Sequence, residues 1–423
     1  MKICLMTNTY LPHVGGVARS VSTFAEEYRR LGHEVLVVAP QLPGRTNKRA
    51  EAMVVRVAAI QNFNGSDFSV RLPLAAGLSS QLDEFAADII HAHHPFLLGD
   101  TALRLATTRS VPIIFTHHTR YEDYVHYVPF ASPALRRAAI QLSTEYANLC
   151  DGVIAPSTSI ASLIKRRGVT QPVTVVPTGV DTKAFAQGNG AAFRRRFKVP
   201  AGAFVVGHVG RLAPEKNLGY LANAVSLFLK KNPRAWFLVV GSGPSEGELK
   251  KTFADRGVGD RLVLAGSHTG KSLHDGYRAM DVFAFSSQSE TQGLVVAEAM
   301  AAGAPVVALR ASGVREIVRP GENGFLLPAG SPAAEFAQQL GRLAGDPKLV
   351  QRFSAAATAT AADFSREHCA KLALGFYEKI RRATRRDRLL AAQSTWTMLT
   401  ERIGVEWDIL ARNARALGTA LAS

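Results

Sequence analysis

Cysteine and tryptophan are scarce, three of each in 423 residues. Cys4, Cys150 and Cys369 are odd in number and far apart. They make neither a disulfide framework nor the paired spacing of a zinc site, so a reducing cytosol is the expected compartment. Long apolar runs are also missing. None approaches the ~18 residues that a membrane-spanning helix needs. Met1 to Met6 is too short for the apolar core of a signal peptide, and Pro12 and Gly15-Gly16 follow at once. Acidic residues are few: 34 Asp and Glu stand against 50 Lys and Arg, a net charge of +16. Such an imbalance speaks of partners rather than fold. Nucleic acid, an anionic membrane surface and acidic small molecules all fit it. The cations cluster at Lys165-Arg166-Arg167, at Arg194-Arg195-Arg196 with Lys198, and from Lys379 to Arg388. Each cluster taken singly reads as a solvated helix face.

What is present is a globular composition, 47% apolar, in a chain long enough for about two domains. Short apolar runs alternate with helical stretches: Lys2–Met6, Glu34–Ala39, Asp88–Ala92, Pro112–Thr116, Gly152–Ala155 and Val173–Val176. This βα alternation predicts a parallel sheet covered by helices on both faces. A second series starts after Val199-Pro200, with runs at Phe204–Val209, Ala235–Val240, Arg261–Ala265, Val282–Ser286, Pro305–Ala308 and Gly324–Leu327. The expected fold is α/β, two Rossmann-like doubly wound domains facing a cleft, with extra C-terminal helices. The expected divisions are 1–185, 200–364 and 365–423, the last returning to the N-terminal domain and ending in a helical tail.

Four segments carry chemistry. In Ser289-Glu290-Thr291-Gln292-Gly293-Leu294-Val295-Val296-Ala297-Glu298, one glutamate precedes a helix and the other lies inside it. A helix start offers unpaired N–H groups and a positive dipole end, and Gly293 lets a ligand close to the backbone. Two glutamates alone would be ordinary; the strand-loop-helix setting makes this an anion site. In Gly210-Arg211-Leu212-Ala213-Pro214-Glu215-Lys216-Asn217, a strand feeds a loop with two cations suited to a leaving diphosphate. Pro12-His13-Val14-Gly15-Gly16-Val17 follows the first strand and opens a helix, without the G-x-G-x-x-G of hydride-transfer enzymes. Last come His91, His93, His94, His117, His118, Tyr121, Tyr124, His126 and Tyr127. No H-E-x-x-H helix or cysteine pair accompanies these histidines, so a sugar or phosphate contact is preferred to a metal site.

The order of these segments, with Val175-Val176-Pro177-Thr178-Gly179-Val180-Asp181, resembles the retaining GT-B glycosyltransferases of family 4 over residues 1–380. The resemblance implies that Arg211 and Lys216 grip a sugar-nucleotide diphosphate. It places Glu290 on the donor sugar, helped by the backbone of Gln292, Gly293, Leu294 and Val295. Glu298 would meet the ribose, the backbone near His268 the base, Gly15 and Gly16 the donor phosphate, and His118 the transferred sugar. No cofactor is required. His117-His118-Thr119-Arg120-Tyr121-Glu122-Asp123-Tyr124-Val125-His126-Tyr127, with Glu290-Thr291-Gln292-Gly293-Leu294, looks like the diacylglycerol glucosyltransferases of this family. That narrower likeness implies UDP-glucose as donor, an anionic membrane surface and lipid acceptor as partners, and a peripheral position at the cytoplasmic face. It makes His13, Tyr121, Tyr124 and His126 candidates for the acceptor. Many members carry Phe where this chain has Gln292. Phosphatidylinositol or a soluble sugar is the alternative acceptor. A nucleotide-sugar epimerase lacks an assignable acid/base pair, and a nucleic-acid binder lacks a recognition motif. The segment after Arg388 lies outside the resemblance.

Overall fold

In the first half of the chain, the central apolar strands at Lys2–Met6, Ile89–Ala92, Ile113–Thr116 and Gly152–Ala155 are buried on both faces, as in a covered parallel sheet. The computed structural model describes residues 1–13, 15–41, 53–57, 59–60, 70–71, 78–123, 132–391 and 412. The chain divides into two compact units: Met1–Gly179 with Cys369–Ser423, and Val180–His368.

The first unit runs β1 (Lys2–Met6), α1 (Gly16–Arg30), β2 (Glu34–Pro40), β3 (Val54–Val57), the antiparallel pair β4 (Ala59–Ile60) and β5 (Val70–Arg71), then α2 (Leu78–Phe85). It continues through β6 (Ile89–Ala92), α3 (Leu98–Arg109), β7 (Ile113–Thr116), α4 (Pro133–Leu149), β8 (Gly152–Ala155), α5 (Thr158–Arg166) and β9 (Val173–Val175). Its seven-stranded sheet has the order β3-β2-β1-β6-β7-β8-β9, with all pairs parallel. The edge strand β3 and the β4–β5 pair had no counterpart among the expected strands. One face of the sheet packs Cys4, Met6, Ile90, Phe115 and Val153 under α2 and α3; the other packs Ile3, Leu5, Ile114 and Ile154 under α1.

The second unit runs α6 (Thr182–Ala186), α7 (Gly190–Arg196), β10 (Phe204–Val209), α8 (Leu218–Lys231), β11 (Ala235–Val240), α9 (Glu246–Asp255), β12 (Leu262–Gly266) and α10 (Gly270–Arg278). There follow β13 (Val282–Phe285), α11 (Leu294–Ala301), β14 (Val306–Leu309), α12 (Val314–Ile317), β15 (Gly324–Leu327), α13 (Ala333–Gly345) and α14 (Pro347–Ala362). Its six strands are parallel in the order β12-β11-β10-β13-β14-β15. Strand order reverses beside β1 in one sheet and beside β10 in the other, and ligands of doubly wound sheets bind at the carboxyl ends beside such a point.

The boundary departs from the expected 185–200 stretch and falls at Gly179–Val180. The polar composition of residues 182–200 suggested a linker, but α6 and α7 are bound to the second unit. Phe185 and Phe193 enter its core beside Tyr277, and the Asn189 amide donates to Asp275 Oδ1 at 2.6 Å. The Val180 amide donates to the Phe364 carbonyl and the Arg366 amide to the Val180 carbonyl, which ties the entry of this unit to its exit.

The last described helix, α15 (Arg366–Ala391), starts on the second unit and from Cys369 belongs to the first. Ala370, Ala373, Tyr377 and Ile380 recur at helical spacing and, with Phe376, cover Ile89, Ile114 and Ile154 beside α1. A Cβ on Gly152 would lie 2.8 Å from Phe376 Cζ, so the start of β8 needs a residue without one. Among the described residues no helix is long and apolar enough to cross a membrane.

Candidate active site

In the second unit, β10 and β13 are neighbours, so the loops at their carboxyl ends lie side by side. The β10 loop passes Arg211, makes one 3₁₀ turn at Pro214–Lys216, and enters α8 through Asn217 in the left-handed conformation. The β13 loop runs from Ser286 to Gly293 and enters α11. Ser286 stitches the two, its hydroxyl 3.0 Å from the carbonyls of both Lys216 and Asn217. Lys216 and Glu290 thereby meet: Nζ donates to Oε1 at 2.6 Å, and Ser287 donates to the same oxygen at 3.0 Å. Arg211 is exposed in the same loop.

The start of α11 is built to stay open. Gly293 precedes it with φ +79°, α11 has no side-chain cap, and no acid sits in its first turn. Its leading amides at Leu294 and Val295 therefore keep the positive end of the helix. Gln292 is held from behind by Gly313, where a Cβ would come within 2.3 Å of the Gln292 carbonyl carbon. The Gly313 amide also donates to the Glu290 carbonyl at 3.3 Å. On the other side, a Cβ on Gly241 would fall 1.9 Å from the Gly210 carbonyl oxygen, so Gly241 lets the Arg211 loop lie against the end of β11.

Glu298 is buried, 3% exposed, and accepts a hydrogen bond from Tyr277 at 2.6 Å. His268 is fixed through both ring nitrogens, 3.1 Å from the Ala265 carbonyl and 2.9 Å from Ser272 Oγ. Beneath the Lys216–Glu290 pair lies His208, fully buried and stacked with Phe283 and Phe285. It donates from Nδ1 to the Ala284 carbonyl, and burial pushes its pKa down to about 4.

The first unit gathers a different chemistry. Gly15 caps α1 and Gly16 opens it. A Cβ on Gly16 would meet nothing within 4 Å, so packing does not explain this glycine, whereas His13 Nε2 would be 3.0 Å from a Cβ on Gly15. His91, at the end of β6, bonds Tyr377 of α15 through Nδ1 (2.5 Å) and Thr116 of β7 through Nε2 (2.6 Å); Tyr377 also accepts from Tyr28 at 3.1 Å. His93 packs tilted against His91 and stacks on His118, with its Nδ1 2.9 Å from His118 Nε2. His94 accepts from the Asn8 amide at 3.1 Å. Burial pushes His91 and His94 down to about 3 and His117 down to about 4. His93 and His118 also sit well below the ordinary value, through burial first and neighbouring histidines second. The cluster is therefore neutral at physiological pH. Among the described residues, no group of three or more His, Cys, Asp or Glu side chains could hold a metal ion.

Tyr121 packs against His117 and Phe96, with a buried hydroxyl. Its 3₁₀ turn, Tyr121–Asp123, is anchored by Glu122, which takes Arg167 at 2.6 Å and Arg120 at 3.3 Å. The basic clusters are thus only partly solvated faces. Arg167 pairs with Glu122, Arg194 with Asp281 at 2.9 Å, and Arg381 with Asp88 and Glu378. Val14, Tyr124 and His126 lie outside the described residues. Ser286, Tyr277, Gly313, Arg167 and Tyr377 are site partners that the motifs do not contain; all but Ser286, which opens the loop of Glu290, come from other segments.

Comparison with known proteins then decides the family. Residues 14–184 match Glycosyltransferase Family 4, and residues 191–360 match Glycosyl transferases group 1. A GDP-mannose-dependent alpha-mannosyltransferase from Mycobacterium tuberculosis is 31% identical over 90% of this chain and 97% of its own length. The chain belongs to glycosyltransferase family 4. It is a hexosyltransferase of the GT-B class. An alpha-monoglucosyldiacylglycerol synthase from Acholeplasma laidlawii is 27% identical over 88% of this chain and 95% of its own. One of the same name from Streptococcus pneumoniae is 31% identical over 73% and 71%. In fold, this glycosyltransferase is similar to the Anabaena HepE protein solved with UDP, with TM-score 0.71 at 22% identity over 90% of this chain and all of that one.

Proposed function

We propose that this glycosyltransferase moves glucose from UDP-glucose to the hydroxyl of diacylglycerol at an anionic membrane surface, with retention at the anomeric carbon. The observation that carries the donor half is the Lys216–Glu290 pair beside the uncapped start of α11. A diphosphate seated there meets Lys216, Arg211 and the amides of Leu294 and Val295. These are fixed positive groups placed where negative charge grows as the bond to the sugar breaks. Glu290 holds Lys216 in place and accepts from donor-sugar hydroxyls. Glu298 meets the ribose, the backbone at His268 the base, and Gly16 the phosphate. The departing phosphate takes the acceptor's proton, so no carboxylate pair need flank the bond. His118, kept neutral by burial, offers a ring nitrogen to the transferred sugar without adding charge.

The acceptor half is supported by the two relatives named for monoglucosyldiacylglycerol synthesis and by the net charge of +16. Each Lys or Arg held near an anionic bilayer contributes about 1 kcal/mol. His13, Tyr121, Tyr124 and His126 are assigned to the acceptor side. A second reading has its own support: the mycobacterial relative is named for GDP-mannose and spans more of this chain than the pneumococcal one.

Purified protein incubated with UDP-glucose or GDP-mannose, with and without vesicles of diacylglycerol and phosphatidylglycerol, separates the two. Vesicle-dependent UDP release with a hexosyl-diacylglycerol product is expected. Turnover with GDP-mannose alone overturns the donor assignment, and turnover on a soluble acceptor without vesicles overturns the lipid assignment.

A further inference from the structure

The turn between β6 and α3 carries the histidine cluster, and it is strained. Leu97 sits at φ 59°, ψ −106°, a region that a leucine adopts only when its surroundings hold it there. The turn is also compact, since a Cβ on Gly99 would fall 2.1 Å from the His94 carbonyl oxygen. Two side chains hold it. Asn8 works from the end of β1: its amide donates to His94 Nδ1, its Nδ2 to the Phe96 carbonyl at 3.0 Å, and its Oδ1 accepts from the Leu98 amide at 3.1 Å.

The other is Arg412, more than 300 residues away in sequence. Its side chain is 1% exposed. Nη1 donates to the Pro95 carbonyl at 3.1 Å and Nη2 to Asp100 Oδ1 in the first turn of α3. The guanidinium lies 5.5 Å from the ring centroid of Tyr146, whose hydroxyl donates to the Gly99 carbonyl. A wholly buried arginine is costly unless paired and hydrogen-bonded, and here both terminal nitrogens are bonded, one of them to a carboxylate. Its target is the backbone next to His93 and His94.

We propose that Arg412 is a positioning residue for transfer. Asn8 clamps the His94–Leu98 turn at its β1 side, Arg412 clamps it through Pro95 and Asp100, and together they set His93 against His118. Arg412 then acts on the transferred sugar through the turn that carries His93. The proposal rests on the assignment of His118 above, and the test keeps the two apart.

The full-length chain is prepared as Arg412→Gln, Arg412→Lys, His118→Ala and, as a control for lost ion pairing elsewhere in the unit, Arg381→Gln. Amide exchange over residues 93–100 is read alongside kcat and donor KM. Arg412→Gln is expected to exchange faster over that turn and to lose about tenfold or more in kcat, as displaced catalytic groups do. Donor KM stays within about twofold, because the charged groups assigned to the diphosphate, Arg211 and Lys216, are on the other unit and Gly16 lies outside the clamped turn. Arg412→Lys, which keeps the charge but not the fork, falls between, and Arg381→Gln leaves kcat unchanged. Wild-type exchange or wild-type kcat in Arg412→Gln overturns the proposal. Should that variant not fold, wild-type rate and exchange in Arg412→Lys overturn it instead. An active His118→Ala overturns the assignment of His118, whatever Arg412 does.

Discussion

The two units carry the same architecture and opposite chemistry. At the switch point of the second sheet the groups are charged and partly open: Lys216, Glu290, Arg211 and the start of α11. At that of the first they are neutral and buried: His91, His93, His94 and His117, with His118 beside them. Charge held near water suits a diphosphate, which brings two or more negative charges and needs them answered. Neutral rings in a dry setting suit an uncharged sugar or alcohol, since a cation there would cost desolvation and bind the wrong group. The two sheets have equivalent switch points, and the side chains there differ in charge and burial.

The largest effect should come from breaking the charged half. Lys216→Ala removes a cation and leaves Glu290 without its partner; turnover is expected to fall by about 10²–10³, the range seen when a charge-stabilising donor is lost. A steady-state assay checks this, and near-normal turnover would remove Lys216 from the diphosphate. Gly313→Ala attacks the same half by shape. The added carbon must displace Gln292 and the loop that presents Glu290, so donor affinity by calorimetry should weaken while the fold persists.

Acid should pick out the neutral half. His91, His94 and His117 have folded pKa values of about 3, 3 and 4, below the unfolded value of about 6.5. The unfolded chain therefore binds more protons between those limits. Stability is complete above about pH 6.5 and falls as the pH drops from there toward the folded values, by about 1 kcal/mol per histidine at pH 5.5. Only His208 adds a deeply buried histidine to the second unit. Hydrogen exchange at pH 7.5 and 5.5, corrected for intrinsic rates, should show the first unit loosening more. Equal loosening of both would break the contrast.

Smaller effects separate the tyrosines. Tyr377→Phe removes the bonds to His91 and Tyr28 that stitch α15 in place, and Tyr277→Phe removes the donor to buried Glu298. Each should cost about 1–3 kcal/mol in a denaturant titration, with Tyr277→Phe also weakening nucleotide binding. Gly16→Ala is expected to leave stability unchanged or slightly raised, because its Cβ meets open space. A lower donor affinity in that variant would place the ligand against α1; an unchanged one would release Gly16 from the donor.

The motifs were legible because each is contiguous and follows a strand. Glu290, Gly293 and Glu298 share one loop-helix segment, and Arg211 and Lys216 share one loop, so spacing alone placed them at carboxyl ends of strands. Strand and helix periods likewise showed two parallel sheets. What periodicity does not carry is the identity of a distant partner. Nothing in residues 180–200 announced that Phe185 and Phe193 would fill the second core. Arg167 read as one of three solvated cations until Glu122 was found beneath it.

Sequence by itself determined the βα alternation, the positions of the glycines and charges along each loop, and the absence of cysteine pairs, since these depend on neighbours within about ten residues. Tertiary structure decided where the units divide, that α15 returns to cover β6, β7 and β8, that Tyr277 answers Glu298, and that Arg412 reaches Pro95. Those depend on which buried donors and acceptors must be satisfied once the sheets have formed. A buried carboxylate, carbonyl or guanidinium takes the partner that packing brings to it, however far along the chain that partner lies.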